Sequence, residues 1–254
     1  MRFVALPRLT TIDYDMASHI LFTTGCNLAC PACHAGRVKE PSSSVTEEQV
    51  LKYLEGYPNP EFVKGLVICG GEPTAHIGLE NFLRKVRTNP KTKKLSIKLD
   101  TNGTNPDLLV NLARDGLVDY VALDVKGPPQ LYAQLVGKED FDLRDGIEKA
   151  IGIVPRFPGY EFRTTLFPLE RKEGKISFMT PKEIQEMALW VGKITSSRSH
   201  KHYLQTFKAQ SKEQMIDPKF SKESLARELW QTPNSLMQEA KAKLGEIGYC
   251  SEIR

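Results

Sequence analysis

Three of the five cysteines in this 254-residue chain fall inside one eleven-residue stretch, Thr24-Gly25-Cys26-Asn27-Leu28-Ala29-Cys30-Pro31-Ala32-Cys33-His34. Their spacing is Cys-x3-Cys-x2-Cys. Three thiolates on one short loop can close around a single metal centre. A [4Fe–4S] cluster usually takes four cysteine ligands. With three, one iron keeps an open position, which is what a catalytic metal site needs. Half of a zinc site is the first alternative, but a structural zinc site wants a fourth ligand close by. His34 is the only candidate, and as the neighbour of Cys33 it is badly placed to reach the same ion. A second-shell hydrogen-bonding role suits it better. A disulfide framework does not suit a chain of this length with an odd cysteine count and no export signal. Three structural cysteines at this spacing by chance is the remaining alternative.

Three further motifs follow apolar runs. Gly70-Gly71-Glu72-Pro73 combines two glycines, which let a backbone approach a ligand closely, with an acid able to accept from an ammonium group; a tight turn with a surface glutamate reads equally well. Asp100-Thr101-Asn102-Gly103 is a good turn sequence. In Asp124-Val125-Lys126, strand alternation puts Asp124 and Lys126 on one face, where an ion pair at a strand end is the plain alternative. Arg163 and Lys208 are weaker candidates for an anionic ligand. His19, His76, His200 and His202 carry no motif, and the run Arg171–Lys175 reads as a solvated loop.

The elements that must position these residues alternate between strand and helix, which argues for a parallel α/β sheet. Ile20-Leu21-Phe22 reads as the strand before the cysteines. Thr46 and Gln49 form a capping box, with Val45 and Val50 as a hydrophobic staple. Gly65–Cys69 is a continuous apolar run, as for a strand buried on both faces. Helices are expected through Leu79–Val86, from Asn105-Pro106 to Gly116, from about Leu143 to Ile151, and from Thr180-Pro181. The remaining strands are Leu95–Leu99, Tyr120–Leu123, Phe162–Leu166 and Tyr203–Phe207. A looser polar stretch covers Lys208–Lys222. A last helix from Thr232-Pro233 keeps Leu236, Ala240, Leu244 and Ile247 on one side. The first twenty residues read as an extra extended segment or hairpin. Cys69 reads as a small buried strand residue, and neither it nor Cys250 makes a second cluster motif. Periodicity alone does not separate a βα barrel from a doubly wound open sheet, but in both, ligands gather at the C-terminal ends of the strands.

On its cysteine triad, the chain resembles the radical S-adenosylmethionine (radical SAM) enzymes. With Thr11-Ile12-Asp13-Tyr14 and Cys-Asn-Leu-Ala-Cys-Pro-Ala-Cys-His, it resembles the activating proteins of glycyl radical enzymes, those of anaerobic ribonucleoside-triphosphate reductase among them, over about residues 1 to 208. The resemblance implies a partial (β/α)6 TIM-like barrel as a single domain over residues 1–254. Its core would run about 18–208, with an N-terminal extended segment, a C-terminal helix and an extension 209–254. It implies Cys26, Cys30 and Cys33 as cluster ligands. Gly70, Gly71 and Glu72 would orient the amino group of S-adenosylmethionine. Asp100, Asn102, Asp124 and Lys126 would supply further cofactor contacts, with Lys126 near the carboxylate or ribose. It implies a glycyl radical enzyme as protein substrate and a reduced flavodoxin or ferredoxin-type electron donor. Two departures stand out. Ala32 occupies the position before the third cysteine, where the family usually has an aromatic residue, and Asp15-Met16 follows Tyr14 where the activators have Pro-Gly. A radical SAM synthase acting on a small molecule, of the deazapurine-forming kind, and a non-catalytic iron–sulfur or zinc module are the alternative functions.

Composition is ordinary for a soluble globular protein, at 40% hydrophobic and 26% charged residues. The net charge of +4 is mild and its signs are interleaved, which gives no case for nucleic acid. No apolar stretch approaches a membrane span, and Met1–Pro7 has no secretory h-region. The expected location is the cytoplasm, where thiols stay reduced and able to bind iron.

Overall fold

The run Gly65–Cys69 becomes the centre of a parallel sheet, with Leu66, Val67 and Ile68 fully buried. The computed structural model describes residues 1–34, 38, 41 and 43–254. The chain divides into two units: Met1–Asn27, Arg37–Leu123 and Ile153–Tyr160 in the first, Leu28–Gly36, Asp124–Gly152 and Glu161–Arg254 in the second.

In the first unit the strands are β1 (Arg2–Phe3), β2 (Arg8–Thr10), β3 (Ser18–Thr23), β4 (Val45–Thr46), β5 (Gly65–Gly70), β6 (Ser96–Thr101) and β7 (Tyr120–Asp124). β3, β5, β6 and β7 pair in parallel in that order, with Leu21 opposite Ile68, Val67 opposite Lys98 and Asp100 opposite Ala122. The expected N-terminal hairpin is present: β2 runs antiparallel to β3, as does β1, which also carries β4. Helices Glu47–Glu55, Leu79–Thr88 and Pro106–Arg114 connect the strands. The first has the expected capping box, with the Gln49 amide donating to Thr46 Oγ1 at 3.3 Å and Thr46 N–H to Gln49 Oε1 at 2.8 Å. The third opens on Pro106 with Asn105 Oδ1 accepting the Leu108 amide. Leu79, Phe82, Leu83 and Val86 are fully buried, contributing roughly 1.5–3 kcal/mol each. β6 runs two residues past its expected end at Leu99, because Asp100 and Thr101 still pair with β7.

In the second unit, helix Pro129–Val136 is an element absent from the sequence-based expectation. Its start is hidden by Pro128-Pro129, yet proline at the first helical position and Gly137 in the left-handed region (φ 64°) are proper end signals. The helix expected near Leu143–Ile151 is a wide turn over Arg144–Glu148 running into Lys149–Ile153. β8 (Gly159–Leu166) is followed by a small hairpin of β9 (Leu169–Glu170) and β10 (Ile176–Ser177). This corrects the solvated-loop expectation for Arg171: its guanidinium is held by both carboxylate oxygens of Glu183 at 2.7 and 2.8 Å. Helix Pro181–Thr195 has a Thr180–Glu183 capping box. β11 (His202–Thr206) lies parallel to β8, and β12 (Glu252–Ile253) parallel to β11. Helix Asn234–Glu246 buries Met237, Ala240 and Leu244, so its inner face is turned one residue from the expected Leu236. Among the described residues no helix is long and apolar enough to cross a membrane.

Candidate metal and cofactor site

The cysteine motif is divided between the units, with Cys26 in the first and Cys30 and Cys33 in the second. All three are half-buried thiols.

In the first unit, the end of β5 presses on the start of the cysteine loop. The Gly71 amide donates to Thr23 O at 3.0 Å and the Glu72 amide to Gly25 O at 2.9 Å. A Cβ on Gly71 would stand 1.5 Å from Gly25 O, and one on Gly70, at φ 120°, would stand 2.4 Å from the Thr23 amide nitrogen. Both glycines are therefore required by chain packing that fixes the approach to Cys26. His76, which no motif singled out, adds a contact through Nε2 at 2.7 Å from Thr24 O, and as its partner is a carbonyl that nitrogen carries the proton.

Glu72 is 1% exposed. Its Oε1 accepts from Thr74 N–H at 2.9 Å, Thr74 Oγ1 at 2.6 Å and Thr101 Oγ1 at 2.7 Å, and its Oε2 from Asn102 N–H at 2.6 Å. Three of these donors converge on Oε1 and one on Oε2. Burial pushes the Glu72 pKa up, against the pull of these four bonds. The result is a bolt between the turns after β5 and β6.

Asn102 continues the network. Its Nδ2 donates to Asn27 Oδ1 at 3.1 Å and lies 4.0 Å from Cys26 Sγ, while its Oδ1 accepts from Thr104 N–H at 3.0 Å and Thr104 Oγ1 at 2.7 Å. Asn27 Nδ2 closes the ring onto Thr104 Oγ1 at 2.7 Å. Asp100 Oδ1 lies 3.4 Å from the ammonium of buried Lys98, which also donates to Asp13 O. Asn27, Thr74, Thr101 and Thr104 are thus site-organising residues that sequence reasoning missed. The available signal was their small polar type next to motif residues.

In the second unit, Cys30 O accepts the Cys33 amide at 3.0 Å, closing a tight turn. Leu28 and Ala32 anchor that turn by burial, at 6% and 5% exposure. The Ala29 amide donates to Val136 O at 3.1 Å, and a Cβ on Gly137 would stand 2.2 Å from Ala29 O. His34 is exposed. Asp124 joins two cations, accepting from Lys126 Nζ at 2.8 Å and Arg163 Nε at 3.0 Å. Burial would raise the Asp124 pKa, but Lys126 and Arg163 outweigh it and hold it at about 2. Burial likewise opposes charge on Lys126, yet Asp124 and then Cys30 raise its pKa, which also places Lys126 within electrostatic reach of Cys30. The trio holds two cations around one carboxylate. Lys208 is exposed at the foot of the segment after β11 and does not take part in this ion-pair set.

The donor set is three cysteine thiols in one motif, and thiolates are the ligands iron–sulfur clusters take, so the residues present fit such a cluster.

The sequence from residue 20 to 174 matches the model of the radical SAM superfamily. A Methanocaldococcus jannaschii protein named for glycyl-radical enzyme activation is 34% identical over 165 residues, 63% of this chain and 66% of that protein. A pyruvate formate-lyase-activating enzyme of Staphylococcus aureus is 33% identical over 100 residues, 37% of this chain and 38% of that enzyme. The matched stretches thus span less than two thirds of these relatives. A radical SAM methyltransferase from Sphaerobacter thermophilus shares the fold, with a TM-score of 0.62 at 13% identity over 93% of this chain and 66% of that one. The expected partial barrel of the radical SAM type is met by this likeness. With its cysteine motif inside a family match that covers more than half its length, the chain belongs to the radical SAM superfamily, whose cofactors are a [4Fe–4S] cluster and S-adenosylmethionine.

Proposed function

We propose that this chain activates a partner enzyme by removing the Cα hydrogen of a glycine in that partner, leaving a glycyl radical. The observation that carries the reading is the Cys26-x3-Cys30-x2-Cys33 loop directly after β3. The likeness to a protein named for glycyl-radical enzyme activation supports the choice of target. A cluster held by Cys26, Cys30 and Cys33 would supply the one-electron chemistry for reductive cleavage of S-adenosylmethionine.

The chain's own residues bind and orient. Cys26, Cys30 and Cys33 are the proposed cluster ligands. Gly70 and Gly71 bring the end of β5 against Thr23–Gly25, and Glu72 acts by tying Asn102 to that turn. Asn102 lies close enough to Cys26 Sγ to tune it through an amide proton. Asp124 holds Lys126 and Arg163 charged and in place, and the Lys126 ammonium suits the carboxylate of the cofactor. Asp100, held beside Lys98, is a further polar group for the cofactor. A reduced flavodoxin or ferredoxin-type protein as donor, and a reducing cytoplasm as location, complete the proposal.

The test is anaerobic reconstitution with iron and sulfide, followed by dithionite and S-adenosylmethionine, with 5′-deoxyadenosine measured for the native chain and Cys30→Ala. Cleavage by the native chain alone, followed by an electron paramagnetic resonance doublet on an added glycyl radical enzyme from the same cell, is the expected result. Cleavage with no doublet on any such enzyme, but with turnover of a small molecule, would replace activation by a synthase function. A loaded cluster without cleavage would make the chain a binding module.

A further inference from the structure

The segment after β11 leaves the sheet at Phe207 and returns to it at Thr232, outside the stretch that matches the family model. Its two feet are tied together. Ala209 N–H donates to Trp230 O at 2.7 Å, Thr232 N–H to Phe207 O at 3.1 Å, and Lys208 bridges Gln231. Thr232 Oγ1 fastens the returning foot further, accepting from Phe207 N–H and donating to Leu166 O, both at 2.7 Å. Between the feet, Met215, Phe220 and Leu225 are buried, at 5%, 3% and 6% exposure. A polar stretch that buries three large apolar side chains is a packed strap, not a loose loop.

Its far end reaches the cysteine turn. Ile216 N–H donates to Cys33 O at 2.9 Å, and Asp217 N–H donates to Pro31 O at 3.1 Å. These bonds straddle Ala32, which is 5% exposed. The turn is thereby held on both flanks, by the strap at Pro31 and Cys33 and by the end of helix Pro129–Val136 at Ala29. Asp217 is itself fixed, since its Oδ1 accepts the Lys219 amide at 2.9 Å.

We propose that the strap, through the Ile216 and Asp217 amides, is a positioning element that fixes the Pro31–Cys33 turn for cluster binding. The inference rests on the cluster reading of Cys26, Cys30 and Cys33. Two anchored donors remove the freedom of the Cys33 carbonyl and so set the direction of its side chain. Ala32, between the two bonded carbonyls, is buried at 5% exposure, which suits a small side chain there.

The experiment compares the native chain with Ile216→Pro, which deletes one donor, and Ala32→Tyr, which wedges the strap from the turn. Each is reconstituted with iron and sulfide. The readouts are iron and sulfide content, the rate of cluster loss to a chelator, the electron paramagnetic resonance spectrum of the reduced cluster, and the melting temperature of the apoprotein. The expected result is an apoprotein that still unfolds cooperatively, melting several degrees below native, with cluster loss about tenfold faster, as for one lost backbone hydrogen bond, and a shifted spectrum. A cluster with native spectrum and loss rate in both variants would overturn the positioning role. If the variants fail to fold, hydrogen exchange on the native apoprotein decides: protected Ile216 and Asp217 amides support the strap, and exchange at the rate of open coil overturns it. A native chain that takes up no cluster at all would instead overturn the cluster reading, and the inference with it.

Discussion

The Glu72 carboxylate and the Asn102 backbone amide are joined by a 2.6 Å hydrogen bond inside the protein, with Glu72 1% exposed. The bond makes the turn after β6 depend on the turn after β5. Glu72→Gln tests it. An amide has one accepting oxygen, and whichever way it rotates, its NH2 group faces at least one of the four N–H and O–H donors now aimed at the carboxylate. Facing a donor with a donor in a buried site costs about 1–3 kcal/mol. Denaturant unfolding of the apoprotein is expected to show that loss, and native stability in the variant would mean the bolt is not made.

Much of this was legible in the sequence, for particular reasons. The capped helices at Thr46, Asn105 and Thr180 announce themselves because cap chemistry is local. The cysteine triad and the Gly70-Gly71-Glu72 motif were legible as chemistry, but the destination of each group was not. Gly71 reads as a residue that admits a ligand, whereas the neighbour it admits is the Gly25 carbonyl. Glu72 reads as an acceptor for an ammonium, and nothing local announces that it also accepts from Thr101 and Asn102. Thr74 is local, but Thr101 and Asn102 lie 29 and 30 residues from Glu72, and no local pattern records them. The strap was illegible for the same reason, since its contacts to Pro31 and Cys33 use backbone amides, which carry no side-chain signature.

Gly71→Ala is expected to be more damaging than its size suggests. The new methyl would stand 1.5 Å from a backbone oxygen one residue before Cys26, and backbone cannot swing aside as a side chain can. Reconstituted iron and sulfide content should fall sharply. Gly245→Ala is the control. Nothing lies within 4 Å of its added Cβ, and inside a helix alanine is favoured over glycine by roughly 0.5–1 kcal/mol. Equal iron content in the two variants would show that the Gly71 contact does not position the cluster ligands.

Asp124→Asn leaves Lys126 and Arg163 without their shared anion. All three side chains keep some solvent contact, so the expected cost is about 1–3 kcal/mol, below that of a fully buried pair. The sign with pH follows from the lowered pKa. The carboxyl sits at about 2 in the folded chain, below its ordinary value near ~4. Its contribution is therefore fully present above that ordinary value and is lost as pH falls through the folded one. Unfolding of the apoprotein from pH 5 downward, on the order of one pH unit per point, should show a shallower acid limb in the variant than in the native chain. Parallel limbs would separate Asp124 from the two cations.

His202 gives the opposite kind of titration within the second unit. It is 1% exposed, with Nδ1 2.9 Å from the Tyr249 hydroxyl and Nε2 2.9 Å from Thr164 Oγ1. Thr164 gives its own proton to Val125 O at 2.7 Å, so Nε2 carries a proton and donates to Thr164, leaving Nδ1 to accept from Tyr249. Both nitrogens of the neutral ring are thereby used. Burial, with a smaller push from His200, lowers its pKa to about 3. The unfolded chain takes up this proton at about pH 6.5, so the native state loses stability steadily as pH falls from there toward the folded value, by several kcal/mol over the whole window. Most carboxylates titrate lower, which leaves the interval from about pH 6.5 to 5 largely to histidine. His202→Gln, which keeps a donor and an acceptor but does not titrate, is expected to lessen the slope of the apoprotein's stability across that interval, with His19 and His200, also lowered by burial, still contributing. A slope equal to the native one would show that His202 is protonated in the fold, with Nδ1 donating to the Tyr249 hydroxyl instead of accepting from it.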